Sequence, residues 1–504
     1  MTDTDALHGD TSEPDPKRWW ALAVIAVAQL MVVLDATVVN IALPSAQRAL
    51  HISTINRQWV ITAYTLAFGG LLLLGGRIAD FAGRKRIFII GLLGFAFASA
   101  LGGLAQNQGM LYAARALQGS FGALMAPSAL SLLTVTFSEA HERAKAFAVY
   151  GAIAGGGSAI GLIMGGVLTQ YATWRWCLLV NVPIGIVAAV AAGPIVRESR
   201  AHGDTHYDLP GVFTATLGLV ALVYGFTKAD QDGWSSTTTI GLIVVAVVLL
   251  ASFITIELKT KHPLLPMRIF EDRNRGGSFL GSFMAGVGLF GMFLFLTYYL
   301  QGTLHYSALK CGIAYLPFSA GVISAAGLAS KWLPKYGPRP LMGTGFLSCA
   351  IGMAWLTRIG IHTSYWIHVM PAQLIISIGL GFAFVSLSST ALIGVGNHDA
   401  GVASAMVNTT QQVGGSLGTA LLNTFAASAT ASFLTLHHAT HHATGTIGQQ
   451  ALITGYHRVF TLCSFALLLA SIACFSLVQS KKNHAVSAAL AQQSSPLVIG
   501  DRPA

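Results

Sequence analysis

The chain reads as an all-α membrane protein of fourteen transmembrane helices, built as two six-helix pseudo-repeat bundles with two helices inserted between them. Three observations predict this. Of 504 residues, 54% are hydrophobic and only 10% are charged, with a mean hydropathy of +0.64; soluble domains carry roughly 25% charged residues. The apolar residues gather into fourteen stretches, each long enough to cross roughly 30 Å of hydrocarbon. The link between the second and third stretches is echoed, at equal spacing, between the tenth and eleventh: Gly83 and Lys85 match Gly337 and Arg339, while Asp80 faces Pro334.

In chain order, a polar tail (1–18) precedes the first stretch, 19–42. No small-residue cleavage site follows it, so it is expected to stay as a signal-anchor. Stretches 58–76, 87–106, 110–136, 146–169 and 177–196 complete a first bundle, 19–196. A polar link at 197–208, two extra stretches at 209–227 and 237–256, and a loop at 257–276 form a connecting region, 197–276. The second bundle, 277–479, holds 277–301, 310–331, 340–361, 367–391, 402–434 and 457–479, and 480–504 is a tail. The 55 glycines suit helices that pack closely in lipid, where small residues let backbones approach.

The net charge of +10 is not a nucleic-acid signature here, because the bases sit in short loops between apolar spans. Most of them fall on the side of the N-terminus, most densely at Arg84-Lys85-Arg86 and in the 257–276 loop, which makes that side cytoplasmic. An even number of spans then places both termini there, in a multi-pass cell-membrane protein. The five cysteines are scattered without a CxxC pair, so they read as packing residues and not as a disulfide or metal framework. His437, His438, His441 and His442 have helical metal-binding spacing but lie in a loop rich in Ala, Thr and Gly, and read as solvated. Gly286-Val287-Gly288-Leu289-Phe290-Gly291 spells a dinucleotide fingerprint inside a span with no strand before it, so its glycines are packing residues. No Walker sequence occurs. No cofactor or metal is expected, and an ion gradient is the expected source of energy.

Among nineteen acids only Asp35 falls well inside a hydrophobic span, and among twenty-nine Lys and Arg only Arg115 does. A carboxylate at that depth costs about 2.5–3.5 kcal/mol on insertion scales and marks an ion or proton pathway by default. Asn40 and Pro44, further along the first span, are expected to break its helix face again. Arginine stays charged, so Arg115 cannot carry a proton, but its field can change the affinity of Asp35 for one. In the second link, Gly76 and Gly83 are expected to permit tight turns. Asp80 is expected near the start of the third helix, whose dipole favours an anion, with Arg84 and Lys85 holding the loop at the membrane surface. Gly157, Gly161 and Gly165 recur at intervals of four, with Gly166 beside them, as a close-packing stripe.

Several stretches together carry a family resemblance. They are Leu34-Asp35-Ala36-Thr37-Val38-Val39-Asn40-Ile41-Ala42-Leu43-Pro44 in the first span, Gly76 through Arg86 in the loop, and Arg115-Ala116-Leu117-Gln118-Gly119 in the fourth span. Trp174-Arg175-Trp176 through Asn181-Val182-Pro183-Ile184-Gly185 and Asn408-Thr409-Thr410-Gln411-Gln412-Val413-Gly414-Gly415 complete the set. In this order the chain resembles, over nearly its whole length, the fourteen-span drug:proton antiporters of the major facilitator superfamily. Gln411 stands where that family often has arginine. Leu162 stands where the antiporter motif of the fifth span has proline.

The resemblance implies a non-enzymatic, proton-coupled efflux transporter of antibiotics or other amphipathic toxic compounds, working by alternating access and conferring resistance. It implies a proton-coupling pair, Asp35 and Arg115, and a gating latch at Gly76, Asp80, Gly83, Arg84 and Lys85. Polar and aromatic groups within spans are the candidates for the cavity wall: Gln29, Asn40, Tyr64, Gln118, Tyr298, Tyr299, Tyr315, Asn408, Gln411 and Gln412. The expected partners are an amphipathic drug, protons and the lipid bilayer, with no nucleic acid and a monomer as the working unit. A proton symporter for uptake of a small organic solute is the alternative within the class. A lipid-modifying membrane enzyme is the alternative outside it, and would need catalytic groups at depth that the spans do not supply.

Overall fold

The computed structural model describes residues 16–479 apart from 55, 138, 201–207, 261–262, 264, 266, 392–399 and 438–444. The expectations for most of both tails, most of the 197–208 link, and His438, His441 and His442 lie outside the described residues.

Helices stand at every position where the sequence places a span. The first half holds α1 (Arg18–Ala49), α2 (Trp59–Ala82), α3 (Arg84–Gly103), α4 (Gln108–Thr136), α5 (Ala140–Tyr171) and α6 (Asn181–Ile195), the last entered through the turn Trp176–Leu179. Then come α7 (Leu209–Asp232) and α8 (Thr237–Lys259). The second half holds α9 (Arg273–Tyr298), α10 (Leu316–Tyr336), α11 (Pro338–Leu356), α12 (Met370–Ala391), α13 (Ala400–Leu436) and α14 (Thr446–Leu477). Short helical segments Tyr299–Thr303, Ala308–Ala314 and Tyr365–Val369 flank α9, α10 and α12. Among the described residues, twelve helices are long and apolar enough to cross a membrane, and α5 and α11 fall outside that set.

Several helices overrun their apolar stretches because a backbone stays hydrogen-bonded past the hydrocarbon edge. The helix α1 runs through Pro44 to Ala49, and Asn40 donates its amide to the Ala36 carbonyl one turn back, at 2.8 Å. Neither residue breaks the helix. Starts are capped by side chains in the usual way: Asn107 accepts from Met110 N at 2.9 Å, and Asp272 accepts from Asn274 N at 2.9 Å and Arg275 N at 3.0 Å.

The two halves repeat one packing scheme. In the first, α1 lies on α5, α2 on α4, and α3 on α4 and α6. In the second, α9 lies on α13, α10 on α12, and α11 on α12 and α14. The pair α7–α8 stands outside this scheme. Val223 of α7 is buried with Leu66 of α2 and Ala420 of α13, so α7 fills the groove where the halves meet. Polar bonds fix it to both sides: Gln58 donates to Thr227 Oγ1 at 3.1 Å, and Thr424 donates to the Phe226 carbonyl at 3.0 Å.

Glycine sets the closeness of the helices. Cβ atoms at Gly157, Gly161 and Gly165 would press on Leu30, Thr37 and Val38 of α1, while one at Gly166 would meet the backbone of Leu309 in the second half. One face of α5 is thus bound to α1, and another to the opposite bundle. Leu162 sits in an unbroken helix between these glycines, its carbonyl oxygen against Gly312.

A Cβ at Gly119 would overlap the backbone carbonyl of Tyr64, whereas one at Gly327 meets nothing within 4 Å. Overpacking of that kind costs typically about 1–3 kcal/mol. Thermal unfolding in detergent is expected to show a lowered midpoint for Gly119→Val and an unchanged or raised one for Gly327→Ala.

Candidate functional site

Asp35 and Arg115 meet. Arg115 Nη1 lies 2.6 Å from Asp35 Oδ2, and both residues are 1% exposed. Gln118 Nε2 donates to Asp35 Oδ1 at 2.9 Å, and Asn181 Nδ2 donates to the same oxygen at 3.0 Å. The carboxylate from α1 is therefore held by side chains from α4 and α6, which a sequence pattern within one helix cannot reveal. The spacing of Arg115 and Gln118, three residues apart on α4, puts both on one face. Arg115 is further fixed by Gln118 Oε1 at 2.7 Å and by the Val60 carbonyl at 2.9 Å, and its guanidinium lies 4.5 Å from the centroid of the Tyr64 ring. Gln118 also bonds Ser99 of α3.

This cluster sets three donating side chains around one buried carboxyl group. Both carboxyl oxygens accept hydrogen bonds and one of them faces the guanidinium, the condition under which a buried ion pair is tolerated. Asn181 and Ser99 are members of the cluster that the search for charged residues missed. The signal for Asn181 was present in the sixth-span motif, but nothing in the sequence tied it to Asp35.

The loop candidates occupy one connection but not in the expected roles. Only Gly83 is a turn: its φ of +112° is a backbone geometry that favours glycine, and it ends α2 and begins α3. Gly76 lies within α2 near Pro127, a correction that follows from α2 extending to Ala82. Asp80 sits in the last turn of α2 and pairs with Arg84 at 2.8 Å. The anion at the start of α3 is Glu198 instead, which accepts from Lys85 N at 3.1 Å and Arg86 N at 3.2 Å. Lys85 Nζ bonds the Gly193 carbonyl, so the loop is tied to the end of α6 and the strand of chain after it.

The cavity candidates divide. Tyr64 and Gln118 belong to the Asp35 cluster. Gln29 is half-buried and accepts from Tyr150 of α5 at 2.6 Å. Tyr298 crosses to the first half, donating to Gln47. Tyr299 and Tyr315 are bonded inside the second half, to the Gly360 carbonyl at 2.9 Å and to Thr297 at 3.0 Å. Asn408 is exposed. Gln411 presents its carbonyl to Gly286, and Gln412 its Cβ to Gly69 of α2. A second buried arginine also went unnoticed in the sequence. Arg57, in the short helix Asn56–Gln58, is 5% exposed. It escaped because it lies just before an apolar stretch, where a base reads as an interfacial one.

With this geometry in view, the likeness to known proteins is specific. Residues 25–419 match the Major Facilitator Superfamily. The chain is 48% identical over 471 residues to the puromycin resistance protein pur8 of Streptomyces alboniger, covering 93% of each. It is 37% identical over 417 residues to the cephamycin export protein CmcT of Amycolatopsis lactamdurans, covering 81% of this chain and 85% of that one. In fold it is similar to an inward-facing bacterial homologue of the human lysosomal transporter Spinster, with a TM-score of 0.66 at 16% identity, covering 93% of this chain and 98% of that one. This chain therefore belongs to the Major Facilitator Superfamily and is a multi-pass membrane transporter, not an enzyme.

Proposed function

We propose that the protein exports amphipathic antibiotics or similar toxic compounds across the cell membrane in exchange for protons, and so confers resistance. The relatives are resistance and export proteins for puromycin and cephamycin, and another is a tetracenomycin C resistance and export protein. The observation that carries the coupling is the Asp35 cluster. In the described conformation Asp35 faces only donors, so a proton arriving on either oxygen would replace one accepted hydrogen bond by a clash of donors. Protonation releases Arg115, Gln118 or Asn181, and with it the link between α1, α4 and α6. Deprotonation restores the link. That is a two-state element which a proton can bias, and alternating access needs one.

In this reading the two packing repeats, 19–196 and 277–479, rock about the cargo site, with both termini on the cytoplasmic side and a monomer as the working unit. The loop around Gly83 is the latch on the cytoplasmic face, with Asp80, Arg84 and Lys85 joined by Glu198. No cofactor takes part, and the proton gradient supplies the energy.

Purified protein in liposomes, with a pH-sensitive dye inside, tests this. Addition of an aromatic or cationic antibiotic is expected to trigger proton movement under an imposed gradient. Asp35→Asn is expected to reduce that movement at least about tenfold, since the amide cannot take up and release the proton. Undiminished movement in Asp35→Asn would remove Asp35 from the coupling role. Movement of drug and proton in the same direction would favour uptake by symport.

The pair also makes a stability prediction. Removing one partner of a buried ion pair costs about 3–5 kcal/mol, while replacing both is far milder. Arg115→Leu is expected to lower the thermal midpoint markedly, and Asp35→Asn combined with Arg115→Leu to recover most of the loss.

A further inference from the structure

On the face opposite the N-terminus several bonds join the halves, and a charge is buried among them. Tyr298, the last residue of α9, donates to Gln47 of α1, and Gln301 donates to the Ile41 carbonyl at 2.9 Å. Asn423 of α13 donates to the Thr54 carbonyl at 3.4 Å, and Leu309 N donates to Gln170 of α5 at 3.2 Å. Against the inner side of Tyr298 lies Arg57, its guanidinium carbon 3.7 Å from that ring's centroid and 5.8 Å from the centroid of Phe295. Its Nε has no acceptor, and among the described residues no carboxylate pairs with it. Arg115, by contrast, is buried with its Nε and Nη1 both bonded and a carboxylate at 2.6 Å.

A buried cation without an anion is costly to keep from water. Ring faces offset part of that cost. Both rings belong to the second half and Arg57 to the first, so the compensation exists only while this face is shut. We propose that Arg57 is the spring of the gate on this face: closure holds a cation with no paired carboxylate and an unbonded Nε, the Tyr298 ring restrains it, and opening is driven by water reaching that side of the guanidinium. The inference rests on the alternating-access reading above, but its test needs neither cargo nor protons.

The five native cysteines are buried, so spin labels can be placed at Ala49→Cys and Gly302→Cys. Both sites are exposed, on opposite halves at this face, and a side chain at Gly302 meets nothing within 4 Å. The label-to-label distance distribution reports the open fraction. Tyr298→Leu strands the charge and is expected to raise the open-to-closed ratio roughly tenfold, the scale of a desolvated cation–ring contact. Adding Arg57→Leu to it is expected to return the ratio to the wild-type value or below. Tyr298→Phe, which keeps the ring and loses the hydroxyl's bond to Gln47, is expected to open the face clearly less than Tyr298→Leu. Arg57→Leu alone is expected to lower the open fraction, and it decides the matter even if Tyr298→Leu does not purify. Opening by Arg57→Leu comparable to that of Tyr298→Leu would show an ordinary packing contact and overturn the proposal. So would a double variant as open as Tyr298→Leu, or opening by Tyr298→Phe as large as that by Tyr298→Leu.

Discussion

One carboxylate is buried inside a structure that lipid surrounds, and the first half is arranged around it. Asp35 is buried, and its carboxylate oxygens are bonded by Arg115, Gln118 and Asn181, drawn from two other helices. That requirement fixes the relative rotation of α1, α4 and α6, since a turn of any one would take its donor or acceptor out of reach. It also fixes how near they stand. Gly119, one residue beyond Gln118, lets α4 lie against the backbone of α2, and the Gly157–Gly165 stripe lets α5 lie against α1. The polar centre and the glycine contacts are two sides of one constraint. Short side-chain bonds at depth need short distances between helices.

The second half has the same packing scheme without a charge at its centre. Gln373 on α12 is fully buried, and neither of its amide atoms has a partner in the described conformation. The halves thus share a framework but divide the labour: ionic chemistry is concentrated in one, and the other supplies Tyr298 and Gln301 to the contact between them.

Much of this was legible from the residues. Long apolar runs place all the helices, because hydrocarbon permits little else. A lone acid and a lone base at depth point to each other, because an unpaired charge there is too costly to be incidental. What stayed hidden has a common physical origin. Glu198 at the start of α3, Asn181 beside Asp35 and the rings over Arg57 are contacts between residues far apart in the chain, and hydropathy along one helix carries no information about its neighbours. Helix ends were hidden for another reason. Gly76 looked like a turn because apolarity ends where hydrocarbon ends, while hydrogen bonding continues for several residues.

The placement of α7 makes the two long edges of the molecule unequal. In a transporter of two similar bundles, the edges where the bundles meet are related by the approximate twofold axis. Here one of them, between α2 and α13, is roofed by α7 and backed by α8, whereas the other, between α5 and α10, has no such cover among the described residues. For a greasy compound already dissolved in the bilayer these edges are not equivalent. One presents a wall of helix to the lipid tails, and the other presents the joint itself. The inserted pair therefore gives a sidedness within the plane of the membrane, at right angles to the familiar one between inside and outside.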